Sequence, residues 1–325
     1  MAEPRKLPSG RWLIEVSVKR QRKSKTFRTK TEAKAWAREE QIRLESAGVT
    51  SNATLAQLFD RYADEVSETK KGARWEIIRL NKLKSYRIAE KRLVDLTRED
   101  FELWVDARLR EVKPSSVNRE LNLISHCLTQ ARRWRMMSHE PLKDLKRPKN
   151  PPHRDRRITQ EEIETILHVL GYSDDSILKK PSQRVAVAFL LAIETAMRAG
   201  EILSLTRANV DLSNRVAFLP ETKNGAPRSV PLSSRAVSLL QRILSLNFDP
   251  IFSLSSASLS SIFRKAVISS AIPDLTFHDS RHEATTRLAN KLHVLELARV
   301  TGHRDIKMLM TYYNESAASI ARKLD

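Results

Sequence analysis

F-H-D-S-R-H-E-A-T-T-R-L-A-N-K-L-H-V-L-E-L-A-R-V-T-G-H-R-D-I-K-M-L-M-T-Y-Y, residues 277–313, is the stretch on which the rest of the chain depends. It opens on an H-x-x-R-H cluster, His278, Arg281 and His282. A G-H pair follows at Gly302 and His303, and Tyr312 stands nine residues beyond that histidine. Imidazoles and a guanidinium suit one phosphate, because the guanidinium fork matches its oxygens. Tyrosine is one of the side chains that forms covalent intermediates. Upstream, Thr195-Ala196-Met197-Arg198-Ala199-Gly200-Glu201 offers a second arginine. Any one of these pieces alone is weak; an ordinary surface arginine or loop histidine would account for it.

Composition narrows the partner. The chain has 325 residues, a formal net charge of +19 and 41% hydrophobic residues. That length suits two or three domains with real cores. The charge is the footprint of a polyanion-binding protein, with nucleic acid first among candidates. Cys127 is the single cysteine, which excludes an internal disulfide framework and a Cys-based zinc site. It sits on an apolar helical face and is read as core, which fits a reducing cytoplasm. No apolar run is long enough to span a bilayer, and the basic N-terminus lacks a signal-peptide core.

Before the motifs, the chain reads as two further units. Trp12, Ile14, Val16 and Val18 alternate with Leu13, Glu15 and Ser17, which predicts a strand. A basic turn, residues 19–25, leads to a returning strand at Thr26-Phe27-Arg28. Thr29 with Glu32 forms a capping box for a helix carrying Ala33, Trp36, Ala37 and Leu44, which Gly48 can end. Residues 1–30 hold ten Lys or Arg against two Glu. Lys19, Arg20, Arg22, Lys23, Lys25 and Arg28 are therefore candidate DNA contacts. A solvated charge run on a small sheet is the plainer alternative.

Four helices are expected next. Thr54 caps one with Leu55, Leu58, Phe59 and Tyr62; Arg74–Tyr86 is a second; Thr97 and Asp100 start a third; Ser115 or Ser116 opens a fourth with Val117, Leu121, Ile124 and Leu128. Their apolar stripes are core. From Lys143 to Arg157 the chain carries seven basic residues and three prolines, Pro148, Pro151 and Pro152. It reads as a linker following a phosphate backbone, with Lys146, Arg147, Lys149, Arg154 and Arg156 as contacts.

Downstream, Thr159 and Glu162 make another capping box, and Val185–Met197 reads as a buried helix. Val216–Pro220 and Ser229–Leu232 read as strands around an Asn224-Gly225 hairpin turn with Lys223 at its tip.

The ordered set Arg198, Lys223, His278 with Arg281, His303 and Tyr312 resembles the tyrosine recombinase, or phage integrase, family of site-specific DNA recombinases. The likeness is strong from about residue 157 onward and looser before it. It implies a fold that is mainly α with small β elements, in several domains: a β-hairpin-and-helix arm-type DNA-binding domain at 1–50, a helical core-binding domain at 52–147, a basic linker at 148–157, and a mixed α+β catalytic domain at 158–325.

The resemblance also implies roles. Tyr312 attacks a scissile phosphodiester and forms a 3′-phosphotyrosine, releasing a 5′-hydroxyl. Arg198 and Arg281 hold the non-bridging oxygens, Lys223 protonates the leaving oxygen, His278 assists proton transfer and His303 hydrogen-bonds the phosphate. Glu201 orients a neighbouring side chain and His282 supports Arg281. Tyr313 is the alternative nucleophile, disfavoured by the offset from His303. No metal or cofactor is expected, because the phosphodiester's energy is kept in the tyrosine–DNA bond. Expected partners are double-stranded DNA at core and arm sites, three further copies in a tetramer on paired sites, and accessory DNA-bending proteins; the expected compartment is cytoplasmic. Residues 314–325 are expected to form a short helix that docks on a neighbouring subunit.

Three departures from the family pattern stand out. Ala196 replaces a frequent Gly, and Ser280 and Thr301 each replace a common Leu; all three read as changes in backbone or packing that remove no reacting group. Two rival functions are kept: a related enzyme that only nicks, relaxes and reseals DNA, in the manner of a type IB topoisomerase, and a DNA-binding module that has lost catalysis.

Overall fold

The computed structural model describes residues 3–18, 21–45, 51–152, 154–221, 226–313 and 321. Lys19, Arg20, Gly48, Lys223 and the expected C-terminal helix, apart from Ala321, lie outside them. The chain forms two compact units, Met1–His153 and Arg154–Asp325. The fold is mainly α with two small antiparallel sheets. Among the described residues no helix is long and apolar enough to cross a membrane.

The first unit opens on three antiparallel strands, β1 (Arg5–Lys6), β2 (Trp12–Val18) and β3 (Gln21–Phe27). The two-residue β1 is too short to show periodicity. It is set by tertiary pairing, Arg5 against Leu13 and Lys6 against Trp12. Period-two alternation puts Ile14 and Val16 inward. They pack on Ala33 and Ala37 of α1 (Lys30–Glu45), with Trp12, Phe27 and Trp36 at the rim. Thr29 and Glu32 cap α1 reciprocally, at 3.2 and 3.3 Å.

A second apolar core in this unit is built by α2 (Leu55–Tyr62), α3 (Ala73–Lys84), α4 (Arg98–Leu109) and α5 (Pro114–Arg133). Capping boxes at Thr54 and Thr97 start α2 and α4. The fourth helix begins at Pro114, not at a serine cap. Proline's preset φ and missing N–H suit the first helical position. Leu55, Phe59, Phe101, Leu121 and Cys127 are fully buried. Arg108 and Glu120 form a buried two-pronged pair, 2.8 Å on each arm, joining α4 to α5.

The second unit is organised around α7 (Pro181–Thr195), which follows α6 (Gln160–Val169). Val185, Val187, Ala188, Phe189 and Leu191 are fully buried around its circumference. A helix apolar on every side belongs at a centre. Burying each large side chain contributes roughly 1.5–3 kcal/mol. After α7 come α8 (Ala199–Leu203), a sheet of β4 (Val210–Asp211), β5 (Val216–Leu219) and β6 (Arg228–Pro231), then α9 (Ser234–Leu244), α10 (Ser256–Ser269), α11 (Phe277–Ala289) and α12 (Val294–Thr301). A 3₁₀ turn, Ile306–Tyr312, followed by Tyr313, ends the described chain but for Ala321. Helices α9, α10 and α11 all pack on α7.

Candidate active site

Arg198, Arg281 and His303 stand near the ends of α7, α8, α11 and α12, and Tyr312 lies on the 3₁₀ turn beyond them. Helix α7 stops at Ala196, whose φ of 54° and ψ of 21° are left-handed. That turn aims the Ala196 carbonyl at Arg281, whose Nη1 donates to it. Nη2 of Arg281 donates to the Thr301 carbonyl at 2.6 Å. The guanidinium is thus pinned between two helix C-termini and is 5% exposed. Burial, then the charge of Arg198, brings its pKa down to about 10, so it remains a cation at neutral pH.

Arg198 is not at a helix C-terminus but caps the N-terminus of α8. A cation there opposes the helix dipole. Glu201 offsets it, accepting from the Arg198 backbone N at 2.8 Å and from its Nη1 at 2.9 Å. The same carboxylate takes both arms of Arg228, each at 2.8 Å. Burial works against the Glu201 charge, yet hydrogen bonds from Arg228 and Arg198 outweigh it and hold the pKa at about 2. Glu201 thus pairs with two arginines, and Arg228 is the one that the motif reading did not single out. No local motif could have found it, because Arg228 lies 27 residues from Glu201. Arg228 also donates to the Val300 carbonyl at 3.0 Å, tying β6 to α12.

Arg198, His278 and Arg281 line one cavity of about 390 Å³, together with Met197, Phe277 and Arg264. His278 is exposed at the first turn of α11. Arg264, from α10, adds a cation that the motif does not contain.

Tyr312 is half-buried over a small cluster of Ala289, Leu297 and Leu309. Its ring lies 5.0 Å from that of His282. Burial raises its pKa, and the charge of Arg281 pulls the other way, so the phenol sits within the field of the buried arginine. Tyr313 is anchored differently: its hydroxyl donates to the Leu292 carbonyl at 2.9 Å. Two of the family departures acquire polar partners. Ser280 donates to the Phe277 carbonyl at 2.6 Å, and the buried Thr301 hydroxyl lies 2.6 Å from both the Leu297 carbonyl and Nδ1 of His303. Burial, then the charges of Arg281, Arg198 and Arg228, lowers the His303 pKa to about 4.

The basic candidates outside this cluster divide into two groups. Arg22, Lys23, Lys25 and Arg28 are exposed on or beside β3, although Arg22 meets Glu15 at 2.5 Å and Lys23 meets Glu40 at 2.9 Å. Lys146, Arg147 and Lys149 are exposed in the first unit, with Arg147 bonded to Asn122 at 2.6 Å. Arg154 and Arg156 stand at the start of the second unit, and their charges are taken up within it. Arg154 forks onto Asp279 at 2.7 and 2.8 Å, and Arg156 reaches Glu162 at 2.6 Å. Arg157 meets Glu283 at 2.7 Å. Carboxylates on α11 and at the start of α6 thus take up arginines that were read as phosphate contacts.

Residues 156–319 match the model of the phage integrase family. A Haemophilus influenzae protein assigned the name integrase/recombinase is 38% identical over 296 residues, 89% of this chain and 97% of its own. The shufflon-specific DNA recombinase of Escherichia coli is 36% identical over 283 residues, 84% of this chain and 72% of its own. Among solved structures, a lambda integrase tetramer bound to a Holliday junction shares the fold, with a TM-score of 0.66 at 16% identity over 95% of this chain and 94% of that one. Its motif order, its fold and these relatives agree: the chain belongs to the phage integrase family, the tyrosine recombinases, and is a site-specific DNA recombinase.

Proposed function

We propose that this recombinase integrates or excises a mobile element, with Tyr312 as the nucleophile and Arg198 and Arg281 as the phosphate clamp. The observation that carries this reading is the buried Arg281, which shares a cavity with Arg198 and His278. A neutral phenol must lose its proton to attack. His278 assists that transfer, Lys223 protonates the departing 5′ oxygen, and His303 hydrogen-bonds the phosphate. Removing one oxyanion donor of this kind typically costs roughly 10²–10³ in rate. Tyr313 is set aside because its hydroxyl is held by a backbone carbonyl.

The arm unit at 1–50 and the helical unit at 52–147 bind arm and core duplex sites, with residues 148–157 as the connection to the catalytic unit at 158–325. Four copies assemble on paired sites, by analogy with the lambda tetramer. DNA-bending accessory proteins would assist that assembly, and the single buried Cys127 fits a cytoplasmic setting.

The test is covalent trapping on a nicked duplex carrying the site the protein protects from nuclease. Wild type is expected to give a protein–DNA adduct, Tyr312→Phe none, and Tyr313→Phe an adduct near the wild-type level. An adduct from Tyr312→Phe overturns the nucleophile. Site binding without adduct from any variant would instead favour a silent DNA-binding module, and supercoil relaxation without exchange on paired sites a topoisomerase-like enzyme.

A further inference from the structure

Thr301 has one hydroxyl proton and two close polar neighbours. The Leu297 carbonyl lies 2.6 Å from its Oγ1 and can only accept. Nδ1 of His303 lies 2.6 Å from the same oxygen. If the hydroxyl proton pointed at Nδ1, two bare oxygens would face each other at 2.6 Å in a fully buried site. One assignment puts a proton in both contacts: Thr301 donates to Leu297, and His303 donates Nδ1–H to Thr301. A leucine at position 301 could impose no such choice.

We propose that Thr301 is a positioning residue that holds His303 as the Nδ1–H tautomer, so that Nε2 is bare in the free protein and takes up one proton from solvent when a phosphate binds. The first half needs only the geometry. The second rests on the reading of this site as a phosphate clamp. For His303 to donate to a phosphate oxygen while Nδ1–H stays on Thr301, the ring must carry both protons. It then presents an imidazolium: Nδ1–H to Thr301 and Nε2–H to the anion.

Burial of the ring, and then the charged groups around it, explain why the proton is absent beforehand. Arg281 on α11, Arg198 ahead of α8 and Arg228 on β6 all repel it. Glu201, the acidic group between the last two, is already occupied by both. A phosphate adds negative charge to this cationic site, which favours protonation. Proton uptake is thereby coupled to substrate binding, and His303 charges where an anion is in place.

The test is nitrogen NMR on the full chain labelled at histidine, with His303 assigned from His303→Gln. At pH 7 the wild-type ring is expected to show a protonated Nδ1 and an unprotonated Nε2. Thr301→Ser is expected to preserve that pattern, and Thr301→Val to move more than half of the molecules to the Nε2–H form. Adding inorganic phosphate is expected to raise the wild-type titration midpoint by one unit or more. An Nε2–H ring in the wild type, or an unchanged tautomer in Thr301→Val, overturns the role of Thr301; should the valine variant not fold, wild type and Thr301→Ser decide. A midpoint that phosphate leaves in place overturns the proton uptake. Loss of covalent trapping with the tautomer as expected would count against the recombinase roles alone.

Discussion

Arg228 and Glu201 face each other as fork to fork, both guanidinium arms of Arg228 lying 2.8 Å from the two carboxylate oxygens of Glu201. Both side chains are at least nine-tenths buried. The second hand on this carboxylate is Arg198, one of the two arginines of the proposed clamp. Through Glu201, β6 is joined mechanically to Arg198.

Removing one member of such a pair leaves a buried charge uncompensated, which typically costs about 3–5 kcal/mol. Arg228→Ala is therefore expected to lower the urea unfolding midpoint strongly. Arg228→Lys should recover only part of the loss, because an ammonium cannot match the two-pronged geometry. A midpoint within experimental scatter of wild type for Arg228→Ala would show that the pair contributes nothing to the fold.

Acid should weaken the catalytic unit in a defined window. Arg228 and Arg198 hold Glu201 at about 2, and Arg157 and Arg287 do the same for Glu283, in both cases against burial. A carboxylate with a depressed folded pKa stabilises fully above its unfolded value, near ~4.3, and loses that contribution as pH falls through the folded value. Urea midpoints should hardly change for these groups above pH 5 and should fall steadily from about 4.5 toward 2. Each group contributes up to about 1.4 kcal/mol per pH unit in that window. Glu201→Gln should flatten the decline, and an unaltered slope would contradict the assignment.

Two left-handed residues should respond unequally when one carbon is added at the first and removed at the second. Gly302 has φ 72°, and a Cβ there would sit 3.1 Å from Nη1 of Arg228. Gly302→Ala is expected to lose about 1–2 kcal/mol from the backbone alone, and more if Arg228 must move. For Ala196→Gly, relief of the left-handed strain is offset by lost methyl burial, about 0.8 kcal/mol, and by glycine's entropy, about 0.5–1 kcal/mol. That variant should lie within about 1 kcal/mol of wild type. Thermal unfolding of both proteins checks the contrast.

Salt dependence separates arginines that serve the fold from cations that serve DNA. Lys149 is exposed, whereas Arg154 is bound to Asp279 and Asp274. Lys149→Ala should reduce the slope of log affinity against log salt by about 0.9, the value of one neutralised phosphate. Arg154→Ala should leave that slope alone and lower the unfolding temperature. The opposite pattern would return Arg154 to the DNA surface.

The family of this protein was legible in its sequence because the motif that carries it resides in local order: H-x-x-R-H, then G-H, then a tyrosine nine residues on, each tied to a helix or its end. The helices were legible for the same reason, since capping boxes such as Thr29 with Glu32 and Thr159 with Glu162 are written within four residues. Tertiary packing alone decided the rest. Strands of two residues carry no period, so β1 and β4 exist only through their partners. An arginine's sequence neighbours do not reveal whether its charge meets a phosphate or a carboxylate 125 residues away, as Arg154 does at Asp279. The burial and the charges of Arg281, Arg198 and Arg228 that lower the His303 pKa arise where separate segments close around one site, because desolvation belongs to the packed molecule and not to the chain.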